Sequence, residues 1–178
     1  MELARHCELC DHQKVNLQVG TTCGLTDRKP EFYRTCSKIT LREKFDNKLK
    51  IANIDYEKVK RKKVLTFIYF GTFVLIGLAL LVGGYLLGKY AYSNNVISTV
   101  PVIIMGVGIA PLAMAFGTLN KYQQSMEATR RKKARIDEVL KEYKIEYDIA
   151  IQFGKEYHGT QEVYADLKMR GIGRSSIL

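Results

Sequence analysis

Four cysteines, Cys7, Cys10, Cys23 and Cys36, are the residues of this chain best suited to chemistry, and it has no others. Their spacing is C-x2-C-x12-C-x12-C, all inside the first 36 of 178 residues. Four thiolates so placed point to one tetrahedral zinc ion, with the short step from Cys7 to Cys10 as a knuckle and two longer loops delivering Cys23 and Cys36. Four protein ligands leave no open coordination position, so such a zinc is structural and implies no catalysis. The second half lacks a C-x2-C step, which sets the pattern apart from a standard zinc ribbon. His6 and His12 are substitute ligands. His6 is expected to point away, because its neighbour Cys7 is committed, and His12 to lie on the surface. The same cysteines also admit reduced thiols in an unstructured tail, or a redox sensor that forms disulfides.

Physical need favours the metal. Residues 1–39 hold a sparse apolar set of Leu9, Val15, Leu17, Val19, Leu25, Phe32 and Ile39. A core that small rarely folds without a staple. Gly20 and Gly24 suit tight turns around the ligands, and Pro30 stiffens the loop before Cys36.

The stretch Cys7-Glu-Leu-Cys10, then Gly20-Thr-Thr-Cys23-Gly-Leu-Thr26, then Lys29-Pro30-Glu-Phe32 and Cys36 resembles a cysteine module found at the N-termini of small, uncharacterised bacterial inner-membrane proteins. The likeness covers about the first fifth of the chain. Leu25-Thr26 and Pro30-x-Phe32 beside the cysteines carry its specificity. It implies a bacterial inner-membrane setting and no particular activity.

The elements that must position this module are two apolar runs, residues 64–87 and 96–119, each 24 residues long and free of charge. As helices they extend about 36 Å, enough for a hydrocarbon core of about 30 Å. The polar remainder of the chain is too short to enclose two such helices, and the first 60 residues lack the apolar stretch of a signal peptide. Five bases lie in residues 58–63 and five in 130–135, against Lys89 alone in the intervening turn, residues 88–95. Bases beside a membrane crossing stay in the cytoplasm, so both termini are expected there; the resemblance implies that the membrane is the bacterial inner (plasma) membrane. The cysteines then lie in a reducing compartment.

The net charge of +10 is largely juxtamembrane: residues 40–63 alone carry nine bases and four acids. That placement favours topology and attraction to anionic lipid headgroups, and speaks against nucleic acid. No charged residue falls at the middle of either run, which leaves an ion or proton pathway without a carrier.

Apolar stripes continue the runs on the inner side. Leu41, Phe45, Leu49, Ala52, Tyr56 and Val59 precede the first; Ile136, Leu140, Tyr143, Tyr147 and Ala150 follow the second. Both step by three and four, as helices do, and the two arms are expected to pair antiparallel as a coiled-coil stalk that brings Leu41 near Tyr143. Small residues four apart, Ala79 with Gly83, Gly84 with Gly88, Gly106 with Ala110 and Ala113 with Gly117, allow close helix approach within the hairpin or with a second copy. Pro101 suits a first turn, and Pro111 should kink its helix. Gly154 is expected to end the stalk. Thr160 then caps a short helix from Gln161 to Arg170, stopped by Gly171 and followed by a flexible tail. His158 reads as solvent-exposed, and no P-loop, dinucleotide fingerprint or metalloprotease helix is present.

The expected fold is an all-α membrane protein: a two-helix transmembrane hairpin extended into a cytoplasmic antiparallel helical stalk, with a small N-terminal zinc-binding module. Its segments are the module (1–39), a cytoplasmic helix (40–63), transmembrane helices at 64–87 and 96–119 joined by the outer turn, a cytoplasmic helix (120–153) and a tail with a short helix (154–178). The expected function is non-enzymatic: a membrane-anchored adaptor or scaffold displaying the zinc module to a protein partner. The alternatives are an accessory subunit of a larger membrane complex and a thiol or zinc redox sensor. Partners so implied are the lipid bilayer, an unidentified protein, or further copies of the chain.

Overall fold

The computed structural model describes residues 3–94, 98–157 and 160–171. In chain order these form α1 (Ala4–Leu9), β1 (Gln13–Asn16), β2 (Gly20–Cys23), α2 (Glu43–Ser93), α3 (Val100–Glu142), β3 (Ile145–Tyr157) and β4 (Thr160–Gly171). Residues 1–2, 95–97, 158–159 and 172–178 lie outside the described residues, and with them the last residue of the expected outer turn, the first two of the second apolar run, His158 and the expected flexible tail.

No proline interrupts residues 43–93, and the helix-forming polar stretch runs straight into the apolar one as a single 51-residue helix. Glu43 and Asp46 sit in the first turn of α2, where acids complement the helix dipole. At the start of α3 the Ser98 hydroxyl accepts the Val100 N–H at 3.3 Å, and Pro101 occupies the first turn. Pro111 lies inside α3, which continues through it.

The expected helix over 120–153 stops at Glu142, and the expected short helix at 161–170 is a strand; the fold is mostly helical but not all-α. Lys144 adopts a left-handed backbone with φ 54°, and its N–H reaches the Lys141 carbonyl at 3.1 Å, which closes the helix. Beyond it the residues alternate. Ile145, Tyr147, Ile149, Ile151 and Phe153 take one face of β3, while Glu146, Asp148 and Gln152 take the other. This period of two, rich in β-branched residues, selects a strand over a helix. β4 pairs antiparallel, with Ile145 opposite Gly171 and Ile151 opposite Ala165. Gly154, expected as a helix stop, sits instead at an irregularity in that ladder between Phe153 and Glu156. A Cβ there would come within 3.3 Å of the Glu162 Cβ.

Two compact units divide the chain, one built from residues up to Glu57 and from Ala128 onward, the other from Lys58–Glu127. The core of the first consists of Leu9, Leu41, Phe45, Leu49, Val139 and Leu140. Ile39, Ile136, Tyr143, Ile145, Tyr147, Leu167 and Met169 pack around it. The early turns of α2 therefore meet the late turns of α3, as their stripes require, and Leu41 and Tyr143 share one cluster. The base of the strand hairpin covers the same core. Above it Lys133 donates to Asn53 Oδ1 and to the Tyr147 hydroxyl at 2.7 Å, and Tyr147 donates to Asp137 at 2.6 Å. This polar cluster joins α2, α3 and β3, with Asn53 only 4% exposed.

In the second unit, α2 and α3 are long and apolar enough to cross a membrane, and only 6% and 11% of their most apolar stretches is buried. A buried core helix would be covered; these present Leu75, Val82, Ile103 and Phe116 outward. Their seam is built on glycine. A Cβ at Gly77 would lie 2.6 Å from the Leu112 side chain, and one at Gly84 2.6 Å from Met105. A Cβ at Gly108 would lie 3.0 Å from the Leu80 Cβ and 3.2 Å from the Gly77 carbonyl, whereas Gly83, Gly106 and Gly117 face open space. Phe70 and Phe116 meet edge to face at 5.4 Å, as do Phe67 and Tyr122 at 6.4 Å.

Two outcomes follow. Gly77→Val should lower the thermal midpoint of the detergent-solubilised protein, while Gly106→Val leaves it within error; equal effects would refute the seam. Phe45→Ala should cost about 3–5 kcal/mol in the first unit, read from denaturant unfolding followed by tyrosine fluorescence.

Candidate functional site

The cysteine module is positioned by short, strongly turned elements. α1 carries Cys7, and the Cys10 N–H bonds the Cys7 carbonyl at 3.0 Å as the helix ends. β1 and β2 form a small hairpin in which Gln13 lies opposite Cys23. Its turn is held by the Asn16 side chain, which accepts the Gln18 N–H at 2.8 Å, and by Gly20 at φ 87°, a conformation that favours glycine. Gly24 lies so close to the His12 carbonyl that a Cβ would approach it to 3.0 Å. After Cys23 the chain turns sharply: the Asp27 N–H bonds the Cys23 carbonyl at 2.7 Å, and the Cys23 N–H bonds the Arg28 carbonyl at 2.9 Å.

All four cysteines line one enclosed space of about 20 Å³, together with His6 and His12. They are free thiols; Cys7 and Cys10 are buried, Cys23 and Cys36 half-buried. Burial first, then the neighbouring Cys10, Cys23 and Cys36, pushes the Cys7 thiol up to about 11. The neighbouring thiols thus oppose ionisation of Cys7 unless a cation compensates them. Among the described residues, no group of three or more His, Cys, Asp and Glu side chains converges tightly enough to hold a metal ion as its atoms stand. Ligation would require the thiols to turn into the shared space. That space has room for one ion, and four soft sulfur donors suit zinc.

Both histidines differ from expectation. His6 does not point away: it is 2% exposed, packs edge-on against Phe32 and Tyr143, and its Nδ1 lies 3.2 Å from the Tyr143 hydroxyl. Burial holds it below the usual histidine range, against the opposing pull of Glu142 and Glu138. His12 is half-buried, with Nε2 3.2 Å from the Thr40 hydroxyl.

Tyr143 is the residue that sequence reasoning underrated. Its hydroxyl accepts the Cys36 N–H at 2.8 Å and faces His6, so the end of α3 fixes one cysteine loop and the α1 histidine together. Burial pushes its own pKa up to about 12. Two lysines of α2 add to this. Lys48 donates to the Glu8 carbonyl at 2.6 Å and Lys44 to the Gln13 side chain at 2.8 Å and the Cys10 carbonyl at 3.4 Å. Cations at the carbonyl end of α1 satisfy groups that a short helix leaves open. Nothing in the local sequence marks Lys44 and Lys48, because their partners lie 31 to 40 residues away.

No family model, curated protein or solved structure matches the chain.

Tyr143→Phe removes the partner of a half-buried N–H and should cost about 1–3 kcal/mol. It should also speed alkylation of Cys36 in the reduced protein, measured by mass spectrometry of labelled peptides. In the metal-free protein Cys7 should be alkylated more slowly than Cys23 or Cys36 at mildly alkaline pH, because burial and the neighbouring thiols push its pKa up to about 11.

Proposed function

We propose that this protein is a non-enzymatic, membrane-anchored adaptor whose N-terminal module holds one structural zinc ion on Cys7, Cys10, Cys23 and Cys36 and presents its surface to a protein partner. The observation that carries this reading is the shared space lined by all four cysteines in a module docked on a helical core. The two apolar helices supply the anchor. Basic clusters at 58–63 and 130–135, against Lys89 alone between the apolar runs, support cytoplasmic termini at a bacterial plasma membrane. The module also carries exposed apolar side chains, with Leu17 and Tyr33 fully solvated and Leu25 51% exposed, as a display surface would. An accessory subunit of a larger membrane complex is the second reading. It is favoured by Gly83, Gly106 and Gly117, which the hairpin seam leaves open.

Protein purified reduced in detergent should contain about one zinc per chain by elemental analysis, and Cys23→Ser should lose the metal while the apolar helices stay inserted. Absence of zinc from the reduced protein, or a disulfide in rapidly alkylated protein, overturns the adaptor reading in favour of a thiol sensor. Native mass measurement of the same sample separates the second reading, which requires a stoichiometric foreign subunit. In a background without native cysteines, Ser93→Cys should react with an impermeant thiol reagent in intact cells and Ser125→Cys should not; the reverse inverts the topology.

A further inference from the structure

A second, larger cavity of about 530 Å³ adjoins the cysteine cluster, with Cys7, Cys23 and Cys36 part of its lining, and is open to solvent. Arg28, Lys29 and Lys38 line it, and Glu31 is the only acid that does. Asp27, next in sequence to Arg28, is already held by Lys14 at 2.7 Å. Among the described residues the three bases make no ion pair, and all three are exposed. Leu25, Pro30 and Phe32 give the lining its apolar part, and Thr35 and Ser37 add hydroxyl-bearing residues to it. Phe32 is fixed by its edge contact with His6 at 5.2 Å, so this part is preformed.

From this arrangement we propose that the groove binds a short acidic segment of a partner protein, its carboxylates on Arg28, Lys29 and Lys38 and one apolar side chain against Leu25, Pro30 and Phe32. The proposal rests on the adaptor reading and names the chemistry of its partner. Charge complementarity selects the ligand: unpaired bases around an apolar floor match carboxylates flanking an apolar anchor. The volume falls in the range of about 300–1,000 Å³ typical of binding sites, and the open side lets an extended chain pass through. A nucleic acid fits less well. Its phosphates need a continuous basic track, whereas residues 1–39 hold six bases against five acids.

The test uses the full-length protein in detergent and fluorescein-labelled short peptides of Glu and Asp around one Phe, with Gln and Asn versions as controls. Anisotropy should show saturable binding of the acidic peptides only, weakening as salt rises. The triple variant Arg28→Gln, Lys29→Gln, Lys38→Gln should bind at least about tenfold more weakly, the loss expected for a few rim charges at about 0.5 kcal/mol each. Leu25→Ser should weaken binding of the Phe peptide and leave a Phe-free acidic peptide unaffected. Lys168→Gln, which removes an exposed base on β4, should change nothing. No saturable binding by the wild type, equal binding by the triple variant, or displacement by single-stranded RNA better than by acidic peptide would each overturn the proposal. Zinc content measured on the same samples separates the two ideas: a zinc-loaded protein that ignores the peptides refutes the groove alone, and a zinc-free protein that binds them refutes the metal alone.

Discussion

The burial of Leu9 against Phe45, Leu49 and Leu140 is the contact on which the first unit depends. The cysteine module has almost no core of its own: Val15, Leu17, Val19 and Leu25 are each more than half exposed. A segment this short cannot repay its ordering entropy from such a surface. It gains apolar cover by laying α1 on helices that arrive from distant parts of the sequence. The polar contacts around that patch then fix orientation. Lys44 and Lys48 hold the carbonyl end of α1, and the Tyr143 hydroxyl ties Cys36 and His6 to α3. The geometry of the thiols is therefore set partly from outside the module.

The second unit obeys a different solvent rule. Its outward side chains are apolar, and its interior is a narrow seam where Gly77, Gly84 and Gly108 let backbones meet. The pairing of these helices, long and apolar enough to cross a membrane, is made by close backbone packing and aromatic edge contacts, the kind that works without a hydrophobic incentive. In the first unit the helices are joined instead by large buried side chains and by the cluster of Asn53, Lys133, Asp137 and Tyr147. Each helix thus carries two packing codes along its length.

Much of this was legible in the residue pattern, and the failures have physical causes. Phe45 and Leu49 form the buried face of a helix, as their spacing predicts, while Leu41 joins the same core from the segment just before that helix begins. The stripe of Tyr143, Tyr147 and Ala150 also steps by four and three, yet Tyr147 belongs equally to the alternation from Ile145 to Phe153. Two periods competed, and the β-branched residues at alternate positions should have decided for the strand. The break itself was hidden, because a left-handed cap is usually announced by glycine or asparagine and here falls on Lys144. Of the small residues spaced four apart, Gly84 packs in the seam while Gly83, Gly106 and Gly117 face open space, and Gly77, which packs as tightly as Gly84, belongs to no such pair: spacing alone does not tell which side of a helix meets its neighbour. The role of His6 depends on a partner 137 residues away and left no local signal.

The central claim is that the four thiols, which share one small space, converge on a single metal ion. X-ray absorption at the zinc edge of the intact reduced protein tests it most directly. The account requires a first shell of four sulfurs at about 2.3 Å, the distance of a closed thiolate site. A shell containing nitrogen or oxygen, or no zinc signal above background, would contradict it.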